Sequence, residues 1–386
     1  MSERIYLDNA ATSFPKPPAV YDAVDDYNRR LGAAVGRAAY GQALEVQSTV
    51  DRCRKRLADL FGAEGLDQII FTFNGTDSLN LALHGTLEPG DHVVTSTVEH
   101  NSVLRPLHEL QERVSIDVTY VEADSAGRVD PAGVQAALRP NTKLVALIHA
   151  SNVTGTIQPI DDVGEIARAA GALLLVDAAQ SAGHVPIDLR NSPIDLLACP
   201  GHKGLLGPLG TGVLYVRPGL EERLRSLRQG GTGSNSEDDR QPANLPDKYE
   251  SGNHNAPGLY GLDAAVAFLQ ERGLDSIRTH EQQLLEAMIR GLAEIDGLRS
   301  YGTTSAHNRV GVASVTVEGY EPQVLAAILE ENFGIQVRAG LHCAPGVHRA
   351  IGTFATGGTI RLSTGPFTTR DDVEAALAAL REIAAS

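Results

Sequence analysis

Short apolar runs alternate with segments of helical spacing through the middle of the chain. The pattern predicts strands over 69–73, 92–96, 116–121, 144–148, 173–176 and 212–216. Between them it predicts helices over 78–87, 103–112, 131–138 and 163–170. Alternation of this kind predicts an α/β fold with a mainly parallel sheet flanked by helices. Ligands of such sheets sit at the carboxyl ends of the strands. Asn74-Gly75-Thr76, Glu99-His100, Ala150-Ser151-Asn152 and Asp177 each fall just after a predicted strand, which makes that end of the sheet the place to look for chemistry.

The pattern then changes. Residues 230–247 are rich in Gly, Ser, Asn, Asp and Pro and predict a long loop, of the length that is usually functional or mobile. Beyond it, helices are expected over 256–270, 275–294, 323–331 and 371–384, and strands over 311–317, 335–337 and 359–362. These form a smaller α+β C-terminal domain. No internal repeat or low-complexity tract interrupts the chain.

Composition narrows the picture. With 386 residues, two domains are the natural expectation. A formal charge of −15 argues against nucleic acid or an anionic membrane surface as the main partner. No apolar run approaches the ~18 residues that span a bilayer. The start, Met1-Ser2-Glu3-Arg4-Ile5-Tyr6, lacks the regions of a signal peptide, so the expected address is cytoplasmic. Cys53, Cys199 and Cys343 are too few and scattered for a disulfide framework. The 12 histidines show no ligand spacing, so no metal site is expected.

Lys203 stands on a glycine-flanked turn, Gly201-His202-Lys203-Gly204, downstream of Asp177 at the end of an apolar strand. A lysine able to form a Schiff base and an acid able to hold a pyridinium nitrogen are what a pyridoxal phosphate enzyme must supply. The competing reading is a surface lysine and a helix-capping aspartate. Gly75 and Thr76, between a strand and a helix, suit a phosphate cradle, with a plain N-cap by Thr76 or Asp77 as the alternative. His100 at the next strand-to-helix turn can stack on a ring or shuttle protons, or be purely structural. Gln180 can donate to a phenolic oxygen, or be an exposed helix residue. In Arg338-Ala339-Gly340-Leu341-His342-Cys343-Ala344, a cysteine in a glycine-containing loop beside His342 and near Arg338 has the surroundings of a reactive thiolate. Cys53 and Cys199 read as inert core. Arg361, ending a strand, can hold a carboxylate by its two-pronged guanidinium, or form an ordinary salt bridge.

Taken together, Tyr6-Leu7-Asp8-Asn9-Ala10-Ala11-Thr12, Glu99-His100-Asn101, Ser151-Asn152-Val153-Thr154-Gly155, Asp177-Ala178-Ala179-Gln180, Gly201-His202-Lys203 and the Arg338–Ala344 segment resemble the cysteine desulfurases. These belong to the class V aminotransferase group of fold-type I pyridoxal phosphate enzymes. The Arg-x-Gly-x-His-Cys-Ala pattern is similar to the group that includes selenocysteine lyases. The resemblance implies a large cofactor-binding domain over 15–254. A small domain of 1–14 and 255–386 would carry the cysteine loop. It implies that Lys203 holds pyridoxal 5'-phosphate and moves the Cα proton, that Asp177 pairs with the ring nitrogen and Gln180 with the phenolic oxygen, and that His100 stacks on the ring. Gly75, Thr76 and His202 would hold the phosphate, with Asn253 at the phosphate of a neighbouring subunit. Asn152 would contact the cofactor and, with Arg361 and the backbone at Ala10-Ala11, hold the substrate carboxylate. Cys343 would take sulfur from L-cysteine as a persulfide, leaving L-alanine, and pass it to an acceptor protein. A homodimer is implied.

Four positions depart from the usual pattern: Pro200 where a Ser is common, Asn253 for a Thr, Leu341 for a His and Tyr40 for a His. The alternatives are a selenocysteine lyase, another lyase or an aminotransferase of the same superfamily, or a non-catalytic sulfur-carrier scaffold.

Overall fold

Two spacings, two for strands and three to four for helices, build the layers of this molecule. The computed structural model describes residues 4–36, 38–234 and 237–386. Met1, Ser2 and Glu3 of the N-terminal segment and Asn235 and Ser236 of the expected 230–247 loop therefore lie outside the described residues. In chain order, β1 (Ile5–Tyr6) is followed by α1 (Pro18–Asp26) and α2 (Gly41–Phe61). The central stretch runs β2 (Ile69–Thr72), α3 (Gly75–Thr86), β3 (His92–Ser96), α4 (Asn101–Val114), β4 (Asp117–Val121) and α5 (Pro131–Ala137). It continues β5 (Thr142–Ile148), α6 (Ile160–Ala169), β6 (Leu173–Asp177), β7 (Leu196–Pro200) and β8 (Gly212–Val216).

These strands form a seven-stranded sheet of order β2-β8-β7-β6-β5-β3-β4. Only β8 runs against its neighbours; the other pairs are parallel. The expected α/β fold with a mainly parallel sheet is what the chain adopts. Side chains alternate between the two faces. In β6, Leu174 and Val176 enter one core while Leu173 and Leu175 enter the other. Helices α3 and α4 cover the second face through Leu79, Leu83, Val103 and Leu107. Helix α2 covers the first, its Val46, Val50, Cys53, Leu57 and Phe61 recurring every three or four residues. A fully buried leucine contributes about 1.5–3 kcal/mol to holding these layers. The sheet is buried on both faces, so its strands read as near-continuous apolar runs.

The remainder comprises α7 (Ala256–Arg272), α8 (Leu274–Ala293), β9 (Leu298–Tyr301), β10 (Val312–Val317), α9 (Pro322–Phe333) and β11 (Ile335–Gln336). Then come β12 (Arg338–Gly340), α10 (Pro345–Ala350), β13 (Thr359–Ser363) and α11 (Arg370–Ala384). An antiparallel sheet of order β12-β13-β10-β9 packs on α8, α9 and α11 around its own core, which includes Leu285, Val315, Ile360, Leu380 and Leu7. The expected strand over 335–337 is the two-residue β11, and β12 is a separate strand that begins just beyond it. β11 pairs with β1 and β12 with β13. The N-terminal segment is thus tied to the C-terminal sheet. Helix α7 packs with the large sheet through Leu259, Leu262 and Val266, and the apolar packing changes sides along α8. Among the described residues, no helix is long and apolar enough to cross a membrane.

Candidate active site

Five strand ends converge on one cavity. The segments after β2, β3, β5, β6 and β7 bring Gly75, Thr76, His100, Ser102, Asn152, Asp177, Gln180, His202 and Lys203 to the walls of a space of about 480 Å³. The fifth of these strands, β7, does not stand out in the sequence pattern, although it delivers the lysine turn. That turn is shaped by its glycines. A Cβ on Gly201 would lie 2.9 Å from Thr211 Cβ, and one on Gly204 would lie 2.5 Å from the His184 ring and overlap the Ala182 carbonyl. Only glycine allows the turn to nest against these neighbours.

Burial and charge set the protonation states. Burial lowers the Lys203 ammonium to about 8, partly opposed by Asp177. The Asp177 carboxyl is pushed up by burial, opposed by the Ala179 N–H and by Lys203. The Ala179 N–H donates to Asp177 Oδ1 at 2.9 Å, and the carboxylate also borders the cavity. Burial, with Lys203 the next cause, lowers His100 to about 4. His100 is neutral at neutral pH. Its Nδ1 accepts from the Ser102 N–H at 3.1 Å, so the ring carries its proton on Nε2. Glu99 is fully buried, and burial raises it to about 8; Ser96 donates to its Oε1 at 2.5 Å. Burial likewise lowers His202 to about 4, and its Nδ1 is buried with no hydrogen-bond partner among the described residues.

The N-cap of α3 is Asn74, whose Oδ1 accepts from the Asp77 N–H at 2.9 Å. This capping leaves Thr76 to another task. Its hydroxyl lies 2.8 Å from Ser102 Oγ at the edge of the cavity. The N–H groups of Gly75 and Thr76, in the first turn of α3, have no helical carbonyl to meet. Together with the helix dipole they make a site for an anion.

Arg361 does not line the cavity but lies behind it, with none of its surface exposed. Its Nη1 donates to the Asn152 carbonyl at 3.1 Å and its Nη2 to Asp8 Oδ1 at 2.6 Å, while Nε is buried without a partner among the described residues. Asn152 in turn donates through Nδ2 to the His342 carbonyl at 2.6 Å, and its Oδ1 is buried with no partner among the described residues. The Gln180 amide donates to the Ala10 carbonyl at 2.9 Å, and the Ala11 N–H to the Asp8 carbonyl at 3.0 Å. The strap 8–16 ends on the lysine turn, where the Ser13 N–H, the Thr12 hydroxyl and Lys16 Nζ donate to the His202 carbonyl at 3.0, 3.1 and 3.2 Å.

Cys343 is exposed, whereas Cys53 and Cys199 are buried and held as thiols by that burial. Its loop joins β12 to α10. His342 and Cys343 both have left-handed backbone, with φ of 50° and 58°, a conformation costing about 1–2 kcal/mol for each non-glycine residue. The loop is held over the site by the Asn152 bond and by the Asn101 N–H, which donates to the Cys343 carbonyl at 2.8 Å. Of the two groups expected beside the sulfur, Arg338 approaches it, with Nη2 3.7 Å from Sγ. His342 instead faces inward, its Nε2 3.2 Å from Thr359 Oγ1 and its ring 5.5 Å from that of His348. Asn253 is not brought to this cavity. It lines a separate cleft with Phe71, Arg228, Glu250 and His254.

Residues 5–376 match a single protein-family description, aminotransferase class-V. The chain belongs to the class-V aminotransferase family. Among its relatives, a probable cysteine desulfurase of Methanothermobacter thermautotrophicus is 36% identical over all of this chain and 96% of its own length. The structure of a cysteine desulfurase from Thermococcus onnurineus superposes with a TM-score of 0.93 at 34% identity, covering 99% of this chain and 95% of that one. The cysteine desulfurase CsdA of Escherichia coli does so at 0.88 and 28%, covering 98% and 94%. Two residues of this class-V site carry no signal in the sequence pattern. Ser102 lines it and Asp8 reaches it through Arg361, and no local spacing marks either of them.

Proposed function

We propose that this chain is a pyridoxal-phosphate-dependent cysteine desulfurase that converts L-cysteine to L-alanine. Its sulfur would be held as a persulfide on Cys343 for an acceptor. One observation carries the reading: an exposed cysteine is tied through Asn152 to the rim of a cavity holding a desolvated lysine and a buried aspartate. The relatives' names point the same way.

The residues fit the cofactor. Lys203 offers an amine lowered to about 8, so a fraction is neutral and nucleophilic at neutral pH. Asp177 borders the cavity as an acid partner for a ring nitrogen. The α3 N-terminus with Thr76, and the unpartnered His202 Nδ1, suit a phosphate. Gln180 retains a second amide N–H beyond the one given to Ala10. When bound, pyridoxal phosphate would supply an electron-withdrawing ring that acidifies the substrate's Cα proton. Lys203 Nζ then takes that proton, and neutral His100 offers its Nε2–H to the cavity. Arg361 and Asn152 hold the substrate carboxylate.

The Cys343 thiolate, with Arg338 beside it, attacks the substrate sulfur. A sulfur–sulfur bond forms as the Cβ–S bond breaks, Cβ keeps the electron pair and takes a proton, and Lys203 Nζ returns its proton to Cα. L-cysteine and a thiol thus become L-alanine and a persulfide. The exposure of Cys343 leaves the persulfide open to an acceptor protein or a small thiol.

The reading includes a homodimer, in which Asn253, set apart from its own chain's cavity, reaches the partner's phosphate. It also includes a reducing, cytoplasmic setting, which suits three free cysteines. The division into 15–254 and 1–14 with 255–386 is its working domain boundary. The test is to incubate the cofactor-loaded protein with L-cysteine and a reducing thiol and to quantify alanine against sulfide. Equal amounts over many turnovers are expected. Absence of alanine from cofactor-loaded protein would overturn the reading and bring selenocysteine or transamination forward.

A further inference from the structure

Arg361 meets a carboxylate of its own chain. Asp8 Oδ1 takes its Nη2 at 2.6 Å, and the Asp8 side chain keeps only 23% of its surface exposed. The arrangement is fixed from the backbone. The Asn9 and Ala10 N–H groups are held by Ser363, two residues along β13 from Arg361, at 3.4 Å to its carbonyl and 2.9 Å to its hydroxyl. The Ser363 N–H donates to the Leu7 carbonyl at 2.7 Å. The guanidinium is completely buried, and Nε alone of its nitrogens has no partner among the described residues. A carboxylate grips guanidinium best through two parallel N–H donors. Here the resident Asp8 takes one of the arms that such a grip needs.

We propose that Asp8 is an internal stand-in for the ligand carboxylate: it occupies Arg361 in the free protein, and any carboxylate ligand must displace it or share the cation with it. The inference rests on the reading of Arg361 as a carboxylate holder, and on no particular reaction. Asp8 then sets the affinity of the site, because the binding-competent form of Arg361 is only part of the free population and the apparent dissociation constant rises accordingly. It also supplies a counter-charge that keeps a buried guanidinium tolerable while the site is empty. Low affinity for an amino acid carboxylate favours release of the product.

The alternative role, a brace that merely holds Arg361 in place, predicts the opposite sign. Removing a brace weakens carboxylate binding, whereas removing a competitor strengthens it. Asparagine at position 8 keeps the size and can still accept one hydrogen bond, but loses the charge. A neutral in place of a charge-assisted hydrogen bond corresponds to about tenfold in a competing equilibrium.

The test is calorimetric titration of the cofactor-loaded protein with L-alanine, which needs no turnover. In Asp8→Asn the dissociation constant is expected to fall by about tenfold, and in Asp8→Glu to stay near the parent value. An unchanged or raised dissociation constant in a folded Asp8→Asn protein overturns the proposal. If that variant does not fold, a crystal structure of the parent protein with bound L-alanine decides. A lengthened Asp8–Arg361 contact, or an Arg361 shared by both carboxylates, supports the stand-in. A ligand carboxylate that does not touch Arg361 at all overturns it. Tightened L-alanine binding without alanine production from L-cysteine would remove the desulfurase reading and leave Asp8's role standing.

Discussion

Replacing Gly204 by alanine tests how the lysine turn is held. A Cβ there would sit 2.5 Å from Cδ2 and Nε2 of His184, against the 3.4–4 Å of ordinary contact. The turn must therefore open by about 1 Å, because neither neighbour can retreat easily. The His184 ring is pinned through Nδ1 to Glu281 Oε1 at 2.8 Å, and Glu281 is fully buried. The other obstacle is the backbone carbonyl of Ala182. Overpacking of this kind costs about 1–3 kcal/mol, with the upper end expected against backbone, so Tm should fall by several degrees. A displacement of about 1 Å at a reacting group costs on the order of 10²-fold in rate. Differential scanning calorimetry and alanine formation from L-cysteine are the assays. Gly41→Ala is the matched control. At Gly41, the first residue of α2, an added Cβ meets nothing within 4 Å. That substitution should be neutral or stabilise by up to about 1 kcal/mol. Gly204→Ala protein with the parent Tm and rate would refute the packing argument for the turn.

Capture of the cofactor should depend on pH through Lys203. Its amine is lowered to about 8 by burial, and only the neutral form is nucleophilic. The rate at which apoprotein takes up pyridoxal phosphate, followed by visible absorbance, should rise about tenfold per unit below that pH and level off above it. A rate still climbing towards the ordinary lysine value of 10.5 would contradict the desolvation of Lys203. The buried pair Arg54–Glu250, at 2.7 Å, anchors the segment before Asn253 to β2, where Glu250 also accepts from the Phe71 N–H at 2.6 Å. Arg54→Met leaves buried Glu250 with only the Phe71 N–H and His254, 3.5 Å from its Oε2, and should destabilise by about 3–5 kcal/mol in denaturant titration, with Arg54→Met/Glu250→Leu recovering much of the loss.

The parallel sheet and its ligand-bearing end were open to reading because buried parallel strands are near-continuous apolar runs, and four of them end in polar residues. Strand β7 is as long as β6 and β8, but Pro200 ends it and Pro193 stands three residues before it, so its run resembles a linker. Helix α2 carries a legible signal in Val46, Val50, Cys53 and Leu57. It lies upstream of the strand-helix alternation that organises the rest of the reading. The edge strand β9 alternates weakly, with Arg299 and Ser300 exposed, and offers little pattern to find. Asp8 was hidden for a different reason. Its partner Arg361 lies 353 positions away, and no local spacing announces such a contact. The inward turn of His342 was equally hidden. It follows from two successive left-handed residues, and neither His nor Cys marks that conformation as glycine would.

The most direct test of the central claim is the mass of the Cys343 peptide after L-cysteine is added to cofactor-loaded protein without a reductant. One added sulfur atom on Cys343, formed together with one equivalent of alanine and absent from Cys343→Ser protein, is the predicted result. Alanine released at the parent rate by Cys343→Ser protein, or sulfur found on Cys53 or Cys199 instead, would contradict it.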